Sequence, residues 1–167
     1  MKRFIFTLSL FIIGLAAIAA ATAFLGFWPV AATAKPPSIE VRIAGSALHA
    51  SLARQSSGLQ NPVAVTNESL LAGMKIFQNN CAGCHGSPGR PSDWGTRNFY
   101  PRVPQFAEQS SRLTASQMFL VIKHGIRYSG MGGWQGMMSD EEMWTVATFL
   151  EHLDSLPPEV KAVWTQR

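Results

Sequence analysis

The sequence predicts an all-α protein, in which one membrane-length apolar helix precedes a small helical domain. Three observations carry this expectation. No residue from Phe4 to Ala34 is charged, and Phe4–Trp28 is almost wholly apolar. Helix-start signatures recur at Asn67, at Thr114-x-x-Gln117 and at Ser139-x-x-Glu142, each ahead of apolar residues at helical spacing. No segment alternates well enough to read as a strand, and no internal repeat is present.

The N-terminal run comes first. At about 1.5 Å per residue, a helix over Phe4–Trp28 crosses a hydrocarbon core of roughly 30 Å. It has no polar face, so a buried core helix does not suit it. Lys2 and Arg3 stay in the cytoplasm by the positive-inside rule, which puts everything after residue 30 outside. A cleavable signal peptide has an apolar region of only ~7–15 residues, so a retained anchor is the expected form. Ala32-Thr33-Ala34 has the small–x–small form of a cleavage site, and cleavage after Ala34 would instead release the domain into the periplasm. The organisation expected is an anchor over 1–34, a linker or extension over 35–66, and a domain over 67–167.

Without residues 1–34 the chain keeps 12 of its 14 Lys/Arg and all 10 Asp/Glu, so half of the net charge of +4 belongs to the anchor's flank. A nearly balanced domain with no basic run gives no case for nucleic acid.

Lys35-Pro36-Pro37 should be extended, because proline removes a donor and disfavours helix in the residue before it. Ser46–Arg54 is expected to make two helical turns with Leu48 and Leu52 on one side. Gln55–Thr66 reads as loop, broken by Gly58 and Pro62. A first helix is expected over Glu68–Asn79, capped by Asn67, with Leu70, Met74 and Phe77 in register. A second starts at Thr114, carries Met118, Phe119, Val121 and Ile122, and stops at Gly125. A third starts at Ser139, with Asp140 and Glu141 well placed near its N-terminus. Met143, Val146, Ala147, Leu150 and Leu153 line one face, and Pro157-Pro158 are expected to end it. Between the first two helices lies the proline-rich stretch Gly86–Leu113. A loop of that length in a compact domain usually wraps something functional. Three short helices leave room for a large rigid ligand in the core.

Cys81-Ala82-Gly83-Cys84-His85 holds both cysteines of the chain. A thioredoxin-like dithiol needs a βαβ setting, and this motif follows a helix in an all-helical chain. A structural zinc site needs four Cys/His ligands, but His49, His124 and His152 pair with no second cysteine. C-x-x-C-H is the attachment signature of c-type haem: two thiols reach two vinyl groups, and the next residue turns its imidazole under the iron. The export segment delivers the domain to the compartment where such haem is attached.

At these residues the sequence resembles the single-haem, class I c-type cytochromes. The resemblance covers about Leu70–Pro157. It rests on Gly73-x-x-x-Phe77, the Cys81–Gly86 motif, Pro104-Gln105-Phe106, His124-Gly125-Ile126-x-x-x-Gly130-Met131 and the Trp144–Leu153 helix. It implies a small cytochrome c-like helical shell around one covalent haem, with the first and last helices crossed. Gly73 would permit the crossing, and Phe77, Trp144 and Phe149 would fill it. Cys81 and Cys84 would hold the ring, with His85 as one axial ligand.

For the other axial position, Met1 is the start residue, and Met74, Met118 and Met143 fall at core spacing. Met131, Met137 and Met138 remain. The family places its methionine at Met131, and flanking glycines let the backbone bend closely there. Gly132 stands where the family usually has proline, which loosens the loop. His124 is an outside alternative. The resemblance further implies a proline carbonyl holding the proximal histidine, best matched by Pro104 and next by Pro101, with Phe106 packing on the ring. Arg127, Tyr128 and Trp134 are the candidates beside the ligand loop for holding the haem propionates, with Arg97 and Arg102 further away.

The function implied is one-electron transfer, not enzymatic turnover, because His85 and Met131 would fill both axial positions. Methionine ligation also tends to raise the potential relative to two histidines. Partners would be redox proteins at the outer, periplasmic face of a bacterial inner membrane, where the anchor raises effective concentration. The alternatives are a haem subunit of a larger membrane oxidoreductase and a haem enzyme reducing a small molecule such as peroxide.

Overall fold

A computed structural model describes residues 2–166; Met1 and Arg167, the outermost residues of the expected anchor and domain, lie outside the described residues. The chain divides into two compact units, Met1–Ala34 and Lys35–Arg167.

In the first unit α1 (Lys2–Phe24) is one helix with no buried residue. Phe4, Phe11 and Ile13 are exposed along it. The helix is long and apolar enough to cross a membrane, and its uncovered side chains suit a hydrocarbon surrounding. Beyond it the Trp28 indole donates to the Thr22 hydroxyl at 3.2 Å.

The second unit contains α2 (Ser38–Ser56), α3 (Asn67–Asn80), α4 (Ala82–His85), α5 (Asp93–Arg97), α6 (Ala115–His124), α7 (Asp140–Glu151) and α8 (Pro158–Thr165). Only isolated bridges occur among the described residues, with no strand. The all-helical expectation holds, but three helices underestimates the content. The helix expected at Ser46–Arg54 extends back to Ser38, directly behind Pro37. Leu52 is buried and α2 packs on α6. Downstream, Asn61 donates to the Thr148 hydroxyl at 2.8 Å, and Ser116 donates to the Leu59 carbonyl at 3.1 Å. Residues 38–66 are thus fastened to the domain.

The cap of α3 is Thr66, not Asn67. Thr66 has extended backbone angles, and its hydroxyl accepts from Ser69 N–H at 3.1 Å. Ser69 reciprocates by accepting from Thr66 N–H at 3.0 Å. A serine three residues on completes the box that Glu or Gln usually completes. The capping boxes of α6 and α7 form as expected, from Thr114/Gln117 and Ser139/Glu142.

The core lies where α3 crosses α7. A Cβ on Gly73 would stand 2.5 Å from the Thr145 carbonyl oxygen and 2.6 Å from Phe149 Cβ. Only glycine allows that approach. Phe77 and Phe149 are fully buried with ring centres 6.1 Å apart. Burying each contributes about 1.5–3 kcal/mol. Trp144, expected beside them, instead stacks on Phe119 of α6 at 4.2 Å. Five residues at about 100° each turn Trp144 roughly 140° away from Phe149 on the helix. Trp164 of α8 takes that third place, 5.7 Å from Phe77 and 5.3 Å from Phe149.

Pro157-Pro158 do not end the third helix. It stops at Glu151, where the His152 ring Nδ1 donates to the Thr148 carbonyl at 2.9 Å. Pro158 instead opens α8, since the first helical turn has no use for the missing N–H. Val160 and Trp164, four residues apart, share its buried face.

Candidate functional site

The C-x-x-C-H segment forms a single helical turn. Cys81 ends α3, donating its N–H to Phe77 O at 2.8 Å, and its own carbonyl accepts from Cys84 and His85 at 3.1 and 2.9 Å. That turn brings the two thiols to one end of α3. Gly86, at φ +72, then reverses the chain.

The segment that follows wraps back onto the turn. The Pro104 carbonyl lies 2.9 Å from His85 Nδ1. A carbonyl only accepts, so Nδ1 carries the proton and Nε2 keeps its lone pair. Phe106 stacks on the imidazole, with centres 4.7 Å apart and planes 11° from parallel. Buried Gln105 ties three strands of loop together. Its Nε2 donates to the Cys84 and Val103 carbonyls at 3.1 and 3.0 Å, and its Oε1 accepts from Ser92 N–H at 2.7 Å. The Gly86–Leu113 stretch is not wholly irregular: α5 docks on the cysteine turn, where a Cβ on Gly95 would collide with the Cys84 carbonyl.

Burial, reinforced by the neighbouring Cys84, pushes the Cys81 thiol up to about 11. A buried thiol raised in this way is a poor nucleophile near neutral pH. Burial also pulls His85 below its usual range, against the raising effect of the Pro104 bond. A neutral imidazole is the form that ligates a metal. Among the described residues no group of three or more His, Cys, Asp or Glu is arranged to hold a metal ion.

A second wall comes from the loop between α6 and α7. Ile126 N–H donates to the Met131 carbonyl at 2.9 Å, and Met131 N–H donates to the Ser129 hydroxyl at 3.1 Å. One cleft is lined by Cys81, Cys84, His85, Phe99, Pro101, Arg102, Val103, Pro104, Ile126, Met131, Trp134 and Met137, among others. Met74, Met118 and Met143 are buried in the core; Met131 and Met138 both pack against it, but only Met131 of these two lines the cleft. His124 is exposed at the end of α6.

The propionate candidates separate. Trp134 lines the cleft; Arg127 and Tyr128 do not. The loop tip turns outward at Tyr128, whose φ is +61 and whose surface is 93% exposed. The Arg127 guanidinium lies 6.0 Å over the Tyr128 ring. Arg97 is exposed, 3.5 Å from Asp93. Arg102 lines the cleft, its guanidinium held by the Arg97 carbonyl at 2.7 Å.

Two thiols one turn apart, a neutral imidazole with Nε2 available, the thioethers of half-buried Met131 and exposed Met137, and mostly apolar walls form a donor set that fits a covalently held haem. An all-helical domain with this site is a c-type cytochrome domain. Residues 68–150 match the family model described as cytochrome c oxidase, cbb3-type, subunit III, and through them the chain belongs to the c-type cytochromes. No curated protein and no solved structure matches it. Membership points to haem-based electron transfer.

Proposed function

We propose that the domain is a one-electron carrier holding a single haem c between His85 and Met131. The observation that carries this is the shared cleft: the C-x-x-C-H turn, with Pro104 fixing the His85 ring, lines it together with Met131. Haem, when bound, supplies an iron that cycles between ferrous and ferric. Cys81 and Cys84 would hold the ring through thioether bonds, and Pro104 and Phe106 keep the imidazole oriented. Met131 would supply the second iron ligand, which would leave no open position for an exogenous ligand such as peroxide and favours transfer over turnover. Arg102, the cationic side chain fixed on the cleft wall, pairs with a propionate, beside Trp134.

Lys2 and Arg3 orient α1 so that the domain faces the outside of a bacterial inner membrane. The matched family is named for a subunit of an oxidase. This favours a place inside a respiratory complex, passing electrons to its other subunits, over free exchange between separate carriers.

Visible and near-infrared spectra of the intact protein, with and without carbon monoxide, test the assignment. The wild type should resist carbon monoxide. Cys81→Ser with Cys84→Ser should leave no pigment that survives acid-acetone extraction. Met131→Ala should lose the sulfur-to-iron charge-transfer band, lower the potential and bind carbon monoxide. An unchanged Met131→Ala spectrum would reject Met131 as ligand.

A further inference from the structure

The loop carrying Met131 has glycine at 132, so local backbone stiffness does not hold the methionine. Contacts from elsewhere do. At the neck of the loop, a Cβ on Gly125 would stand 2.6 Å from the Met131 carbonyl oxygen, and one on Gly133 would stand 2.8 Å from the Lys123 carbonyl oxygen. These crossings fix where the loop leaves α6. They do not fix how far its outer limb stands from the cysteine wall.

That limb is met by Phe99. A Cβ on Gly130 would clash with the edge of the Phe99 ring, 2.6 Å from Cε1. Phe99 is in turn buttressed edge-on by Trp94, with centres 5.5 Å apart and planes at 86°. Trp94 belongs to α5, whose Gly95 sits against the Cys84 carbonyl. The contacts therefore run without a gap from Cys84, through α5 and Phe99, to Gly130 beside Met131. Phe99 and Met131 both line the cleft.

We infer that Phe99, backed by Trp94, is a positioning residue: a strut that sets the distance between the cysteine–histidine wall and the Met131 loop and so keeps Met131 on the iron. It replaces by tertiary packing the rigidity that proline at 132 would give. The inference rests on Met131 being the ligand.

The test compares Phe99→Ala, Phe99→Leu and Met131→Ala as holoproteins. Apparent affinity for carbon monoxide scales with the fraction of molecules whose methionine is off, so Phe99→Ala should bind it roughly tenfold more tightly than wild type. Its charge-transfer band should weaken and its potential fall, with covalent haem intact. Phe99→Leu should recover most of the band. Ile122→Val, a core change outside the cleft, serves as a control for lost stability alone and should leave all three readings at wild type. If Met131→Ala abolishes the band but Phe99→Ala keeps band, potential and carbon monoxide affinity at wild type, the strut is wrong and the ligand stands. If Met131→Ala leaves the band unchanged, the strut falls with the ligand. If Ile122→Val moves the readings as far as Phe99→Ala, stability explains the effect and the strut is overturned.

Discussion

Gln105 shows how much one side chain carries here. It is buried, and both ends of its amide are committed: two carbonyls accept from Nε2, while Oε1 accepts from Ser92 N–H. Gly86 comes within reach of the same amide, since a Cβ there would stand 2.5 Å from Oε1. Removing the amide strands buried partners, which costs about 1–3 kcal/mol. Gln105→Ala should therefore lower the denaturant midpoint. Gln105→Glu should lower it further, because a carboxylate would face the Cys84 and Val103 carbonyls. A Gln105→Glu protein as stable as wild type in chemical denaturation would remove Gln105 from this role. The resemblance pointed to Pro104 and Phe106 on either side but assigned Gln105 no task. Two of its three partners lie 13 and 21 residues away, beyond any local pattern. The arginines divide for a similar reason. Arg127 is nearer in sequence to Met131, yet the turn at Tyr128 carries it outward, and the more distant Arg102 is the one on the cleft wall.

Helix starts are local, and those of α6 and α7 were legible. The boxes at Thr114 and Ser139 each depend on a residue three positions on. The box at Thr66 was missed only because serine, not Glu or Gln, completes it. The α7 box also predicts a pH effect. Hydrogen bonds from Ser139 hold the Glu142 carboxyl below its ordinary value of 4.5. The group is more acidic folded than unfolded, so its contribution is complete above 4.5 and is lost as pH falls through the lower, folded value. Gln keeps the box without titrating. The stability difference between wild type and Glu142→Gln should therefore be largest near neutrality and shrink on acidification. Thermal melts from neutral pH down through the carboxylate range would show this, and a difference independent of pH would contradict it. The end of the third helix was not legible. Pro157-Pro158 look like a stop, but Pro158 begins α8, and the apolar pair Val160 and Trp164 was the available sign.

At the scale of the molecule, the two units differ in what surrounds them. Residues 35–167 bury their own core, whereas α1 buries nothing. A chain with a cleavable leader in place of residues 1–34 should be exported, keep the spectrum of the full-length protein and stay in the aqueous phase. The full-length protein should partition with detergent or membranes. A truncated protein that loses its pigment or sediments with membranes would contradict that division. By itself, the sequence determined the apolar span, the all-helical character, the starts of α6 and α7 and the C-x-x-C-H motif. Each of these is written within a few residues, in the reach of a helical turn or a run of hydrophobic side chains. Tertiary structure alone decided that Trp164 rather than Trp144 completes the aromatic core, that Gln105 ties the loop to the cysteine turn, that Arg102 faces the cleft and that Phe99 meets Gly130. Those facts depend on which faces of distant segments come together, and close packing, not local periodicity, makes that choice.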